Sequence, residues 1–127
     1  MTDHTVTIVT ADHGPVTIPC PQWCTQATHV DGGARSDIHH TGPDILITAG
    51  SHRGPRELLT MTLTQWPYGL NAPGTDVHVA VHLADGKHAE YDTVGLETLV
   101  ADLLEAAGRV RLMARRLGIE NRPENGR

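Results

Sequence analysis

Phenylalanine is absent, and two Trp and two Tyr are the only aromatic side chains, so any core must be aliphatic, built from Val, Leu, Ile and Ala. Long apolar runs are missing too. No segment approaches the roughly eighteen uninterrupted apolar residues of a membrane-spanning helix. The opening MTDHTVTIVTADHG has neither the basic stretch nor the apolar run of a signal peptide. These absences predict a cytoplasmic protein. Cysteine is scarce, with Cys20 and Cys24 the only two. In a reducing compartment such a pair is expected to be thiol, metal-bound or redox-active rather than a structural disulfide.

Signatures of familiar enzymes are also lacking. There is no Gly-rich phosphate loop ending in Lys, no GxGxxG after a strand, no GxSxG elbow and no HExxH helix. The reading therefore leans away from catalysis. Ser36, Ser51, Asp37 and His39 are residue types of a hydrolytic site, but their spacing orders them into nothing specific. Positive charge is confined to one end: residues 109–127 carry six Arg against Glu120 and Glu124, a net +4, while the first 108 carry 4 basic and 13 acidic residues, a net −9. Most of the surface would repel nucleic acid, and the Arg-bearing end has no interleaved aromatics for base stacking. Nucleic acid is not the expected partner.

What is present fits one domain of ordinary size, since 127 residues can bury a core without relying on a disulfide or a metal. Residues 5–10 and 16–18 alternate like strands around Asp12-His13-Gly14-Pro15, a β-hairpin. Residues 19–43 contain Pro19, Pro21, Gly32, Gly33, Gly42 and Pro43 and no sustained apolar period, which predicts a long irregular loop. Such loops usually have a function or an internal cross-link. Residues 44–49 predict a short apolar strand. Residues 57–66 set Leu59, Met61 and Leu63 against Thr60, Thr62 and Thr64, the pattern of a half-buried antiparallel strand. Strands at 77–83 and 88–92 follow, joined through Asp85-Gly86.

From Thr93, a candidate N-cap, the period changes to 3.6, and Leu96, Leu99, Val100, Leu103, Ala107, Val110, Ala114 and Leu117 fall on one stripe. Gly118 is expected to stop this helix, and residues 119–127 to fray. The predicted fold is one α+β domain over 1–127. It has a mostly antiparallel sheet of five to six short strands, with one long C-terminal helix, residues 93–117, packed on it. Leu104 and Leu112 fall outside the stripe, which leaves room for a protein partner or a homodimer through the helix.

The chemistry concentrates in CPQWCTQATHVDGGARSDIHH, residues 20–40. Cys20, Cys24, His29 and His40 supply two thiolates and two imidazoles, the Cys₂His₂ set that tetrahedral zinc accepts, with His39 as the alternative to His40. Trp23 reads equally as a shield of such a site from water and as a lone core aromatic. Other readings remain open: a catalytic metal with a free position, a Cys20–Cys24 redox pair, or two buried cysteines without metal. His78 and His82 share one strand face about 13 Å apart at ~3.3 Å per residue, too far to share an ion. They read as polar positions on the outer face. His4, His13, His52 and His88 sit near turns or termini and are expected to face solvent.

The order GPVTIPCPQWC, His29, HHTGP, strands, then YDTVGLETLVADLLEAA resembles a family of small uncharacterised actinobacterial (Streptomyces-type) proteins, a domain of unknown function, over residues 5–108. The likeness rests on the CP-x-WC segment, the His-x-Gly-Pro pattern at His40 to Pro43 and the leucine-rich helix. It implies a bacterial cytoplasmic domain and supplies no catalytic residues. The family helix begins with an acidic, alanine-containing turn, from which Val94-Gly95-Leu96 departs. The function expected is that of a small interaction or regulatory module with a structural zinc. The alternatives are a metal-dependent enzyme with an open position at the same cluster and a metal-free partner-binding protein.

Overall fold

The computed structural model describes residues 4–26, 29–69 and 75–123. Outside them lie residues 1–3 of the opening segment, 27–28 of the long loop expected over 19–43, 70–74 of the Pro/Gly-rich connection expected after Trp66, and 124–127 of the tail expected to fray. The chain divides into two compact units, Met1–Asp92 and Thr93–Arg127. The first holds six antiparallel strands in two sheets and the second a long helix, an α+β arrangement.

Strands β1 (His4–Thr10) and β2 (Gly14–Cys20) form a two-stranded sheet of their own. Their turn closes where the Thr10 hydroxyl donates to the Gly14 carbonyl at 2.8 Å, and Gly14 adopts φ 62, a left-handed value that glycine tolerates without strain. Sequence pattern ends the second strand before Pro19, whereas β2 continues to Cys20. A ribbon of two strands has a free edge on each, so prolines at positions 15 and 19 meet no second neighbour that would need their missing N–H. Strands β3 (His40–Ala49), β4 (Arg56–Gln65), β5 (His78–Leu83) and β6 (His88–Tyr91) form a meander in the order β3-β4-β5-β6.

Strand β3 likewise starts four residues earlier than its apolar run suggests. The register of β3 against β4 shifts between Thr41 and Asp44. Gly42 and Pro43 fall within that irregularity, where an absent N–H leaves no gap in the ladder. These two extensions make Cys20 the last residue of β2 and His40 the first of β3. Among the described residues between β2 and β3, 21–26 and 29–39, the one regular element is a 3-10 turn at Arg35–Asp37.

Ile8, Ile18 and Ile38 form the buried cluster of the first unit, with Val6, Val16 and Tyr68 packed against it. Two carboxylates fasten the loop to the hairpin over this cluster: Asp31 accepts from the Val9 N–H at 2.8 Å, and Asp12 from the Arg35 N–H at 2.8 Å. The Arg35 guanidinium lies 4.7 Å from the Tyr68 ring centre. The expected aliphatic core is present, and a loop residue, Ile38, completes it.

The second unit is α1 (Thr93–Glu120), 28 residues, about 42 Å long at 1.5 Å per residue. It runs through Gly118 rather than stopping there. The Arg116–Glu120 pair at 2.6 Å spans the glycine, and the helix ends in a turn at Asn121 and Arg122 ahead of Pro123. None of its residues is buried.

Because Ile8 is 3% exposed and central to a small cluster, Ile8→Ala is expected to cost about 2–4 kcal/mol in urea unfolding. Val30, 88% exposed, is the control: Val30→Ala should stay within about 0.5 kcal/mol of the parent.

Candidate metal centre

Four side chains converge where the two sheets of the first unit meet the loop. Cys20 arrives at the end of β2 and His40 at the start of β3, each 1% exposed. Cys24 follows a turn closed by its own N–H donating to the Pro21 carbonyl at 3.0 Å. His29 comes from further along the loop and is half-buried. One ligand atom from each of the four lies within 4.8 Å of the other three. Neither cysteine forms a disulfide.

The individual distances can be tested against coordination chemistry. Around a tetrahedral ion with Zn–S near 2.3 Å and Zn–N near 2.0–2.1 Å, sulfur and nitrogen ligands stand roughly 3.6 Å apart. Cys20 Sγ lies 3.7 Å from His29 Nε2 and 3.8 Å from His40 Nδ1. These two pairs have close to the spacing of ligands on a shared ion, and they are long for sulfur hydrogen bonds. The two imidazoles meet edge to face, centres 5.1 Å apart at 88°, so both nitrogens converge without the rings stacking. Trp23 lies edge-on to His40, ring centres 6.3 Å apart.

Protonation favours ligation as well. Burial lowers the pKa of His40, and the neighbouring His29 and His39 lower it further. Burial also lowers that of His29, with His39 and His4 adding to the effect, while a hydrogen bond to the backbone of His39 acts in the opposite direction. Both rings are held toward the neutral form that a metal requires.

Backbone contacts explain how the loop reaches this geometry. The Thr25 N–H donates to the Thr41 carbonyl at 2.9 Å, the Thr25 hydroxyl reaches the same oxygen at 3.2 Å, and the Gln26 amide donates to the Thr41 hydroxyl at 3.2 Å. The loop packs closely on Gly42. A Cβ there would stand 3.3 Å from the Trp23 carbonyl oxygen and 3.5 Å from Leu63 Cβ. In the sequence Gly42 stands out as a loop former and as part of the His-x-Gly-Pro pattern, and Thr41 carries no signal. The His-x-Gly-Pro spacing was the available signal, since a glycine two residues after a ligand suggests close backbone approach.

The adjacent histidines separate. His40 joins the cluster, whereas His39 lies outside it, its Nδ1 3.1 Å from the Asp37 carbonyl and its ring stacked on Trp66 at 4.5 Å and 22°. Opposite directions at successive positions are what extended backbone imposes. His78 departs from the outer-face expectation: it is 2% exposed, its Nδ1–H donates to the Asp76 carbonyl at 2.8 Å, and Nε2 lies 3.5 Å from the Glu90 carboxylate. His82 is exposed and stacks on His88 at 5.4 Å. His4, His13, His52 and His88 are exposed. Among the described residues the Cys20 cluster is the one group with metal-ligand spacing. A cleft of about 550 Å³, bordered by Ile8, His29, Ile38, His39 and Trp66, adjoins it on the His29 side.

Fold and site together define a small α+β protein with two antiparallel sheets, a long helix and a Cys₂His₂ cluster with metal-ligand spacing. The chain belongs to the family described as a domain of unknown function (DUF6907), whose model matches residues 5–118. No curated protein and no solved structure matches it. No helix among the described residues is long and apolar enough to cross a membrane.

Two outcomes follow from this geometry. Gly42→Ala should lower stability by about 1 kcal/mol or more by pushing the Trp23 carbonyl away. Gly50→Ala, where a Cβ meets open space, should not, and thermal melts of the two variants decide. Stability of metal-free protein should be flat with respect to His29 and His40 above their ordinary value of 6.5. It should fall as pH drops below 6.5 toward their lowered folded values, because the unfolded chain takes up protons that the folded chain resists. Urea unfolding between pH 5 and pH 8 checks the sign. Replacing both residues with Gln should flatten the curve.

Proposed function

We propose that Cys20, Cys24, His29 and His40 bind one structural zinc ion, and that this clamp makes the first unit a stable interaction or regulatory module. The observation that carries the reading is the convergence of four protein ligand atoms within 4.8 Å. Two thiolates with two imidazoles form a closed tetrahedral set, typical of structural rather than catalytic zinc. Hard cations such as magnesium or calcium would prefer an oxygen shell. With three isoleucines as its central buried cluster, the unit stands to gain from a cross-link that joins β2, the loop and β3. Two cysteines outside any disulfide accord with a reducing compartment, and we place the protein in the cytoplasm on that ground.

A second reading, a metal-dependent enzyme, has one observation in its favour: the cleft beside His29. It requires His29 to leave the ion, or never to join it, so that water or substrate occupies the fourth position.

Cys24→Ser tests whether the cluster holds a metal, and His29→Ala separates the two readings. A structural clamp predicts loss of stoichiometric zinc together with destabilisation well beyond the ~1 kcal/mol of a typical substitution. Chelation of the parent protein should give the same shift. An unchanged melting temperature after either treatment would contradict the proposal. A His29→Ala protein that keeps its zinc and its stability would favour the open site instead.

A further inference from the structure

Besides its 3.6-residue stripe, α1 carries a seven-residue repeat. Leu96, Leu103, Val110 and Leu117 recur at intervals of seven, and Leu99, Ala106 and Met113 follow the first three of them by three residues. That is the a/d seam of a coiled coil, which a helix partner fills. From residue 101 to residue 120 every position is exposed, with Val110, Met113 and Leu117 each at least 60% accessible. About 30 Å of apolar seam, at 1.5 Å per residue, is open to water. A helix of this pattern is stable when that seam is covered.

Charge identifies what covers it. Residues 93–106 carry Glu97, Asp102 and Glu105 and no base, a net −3, while residues 107–120 carry four Arg and Glu120, a net +3. Two such helices side by side in parallel would set like charge against like. Antiparallel, each acidic half lies along a basic half, and the helix dipoles oppose as well. One register satisfies the seam at the same time. Leu103 then faces Met113 of the partner subunit and Leu99 faces Leu117 of the partner subunit, with Asp102 near Arg116 of the partner subunit. Ala106, facing Val110 of the partner subunit, keeps the middle of the seam narrow.

We propose that α1 pairs antiparallel with α1 of a second copy of this chain, giving a closed two-fold dimer. The proposal is independent of the metal reading, because all four cluster residues belong to the other unit.

Sedimentation equilibrium of the full chain across a wide concentration range tests it. The mass is expected to approach twice the 13.7 kDa of one chain, and to return to one chain in the double variant Leu103→Glu/Val110→Glu. Circular dichroism of that variant should retain the strand signal of the first unit. Orientation is read from the triple variant Glu97→Lys/Asp102→Lys/Glu105→Lys, which makes α1 basic throughout. An antiparallel pair should weaken at least tenfold and partly recover in high salt. A chain that stays monomeric at every concentration would overturn the proposal, with the seam then covered within the chain or by a different protein. So would a triple variant that dimerises as tightly as the parent, or association that continues past the dimer.

Discussion

Bringing two sulfurs and two imidazole nitrogens to within 4.8 Å of one another is the constraint on which the first unit depends. Those atoms come from the end of one sheet, the start of another and two points on the loop between. Loop closure of this kind is costly in entropy, and the hydrogen bonds that support it are few and individually modest. Asp12 and Asp31 hold the far side of the loop to the hairpin, and Thr41 holds the near side to β3. The cluster sits between these attachments. A bound ion would exchange several weak constraints for one strong one, which is why we read it as structural.

The same constraint accounts for features that look incidental in the sequence. Pro19 and Pro43 flank the cluster in strands that tolerate them, one at the edge of a two-stranded ribbon and the other in a register shift. Gly42 lets the Trp23 carbonyl approach β3, and that approach brings Cys24 toward His40. Burial disfavours protonation of His40 and His29. The strand ends, the glycine and the lowered proton affinities all favour a ligand cluster rather than a solvated loop.

Much of the fold was legible because periodicity changes cleanly along the chain, from alternation in residues 57–66 to a helical stripe after Thr93. The strand starts near Pro19 and Gly42 were not, since proline and glycine argue locally for a break and only tertiary context reveals a free edge or a bulge. The separation of the hairpin into its own sheet was equally hidden, because no local pattern states which strands pair. For the site, composition and clustering pointed to Cys20, Cys24 and His29, but adjacent histidines cannot be ordered without knowing the strand direction at residue 40. The burial of His78 is not legible in the strand pattern, because alternation assigns a face to a residue and does not say what packs over it. The helix posed a different problem: its stripe was evident, while its partner was not, and only exposure combined with the opposed charge of its halves suggests a second copy.

X-ray absorption at the zinc edge, on protein purified without chelator and assayed for metal content, tests the central claim most directly. A structural Cys₂His₂ site should show about one zinc per chain with two sulfur ligands near 2.3 Å and two nitrogen ligands near 2.0 Å. Folded protein with metal far below stoichiometry, or a shell dominated by oxygen, would contradict it.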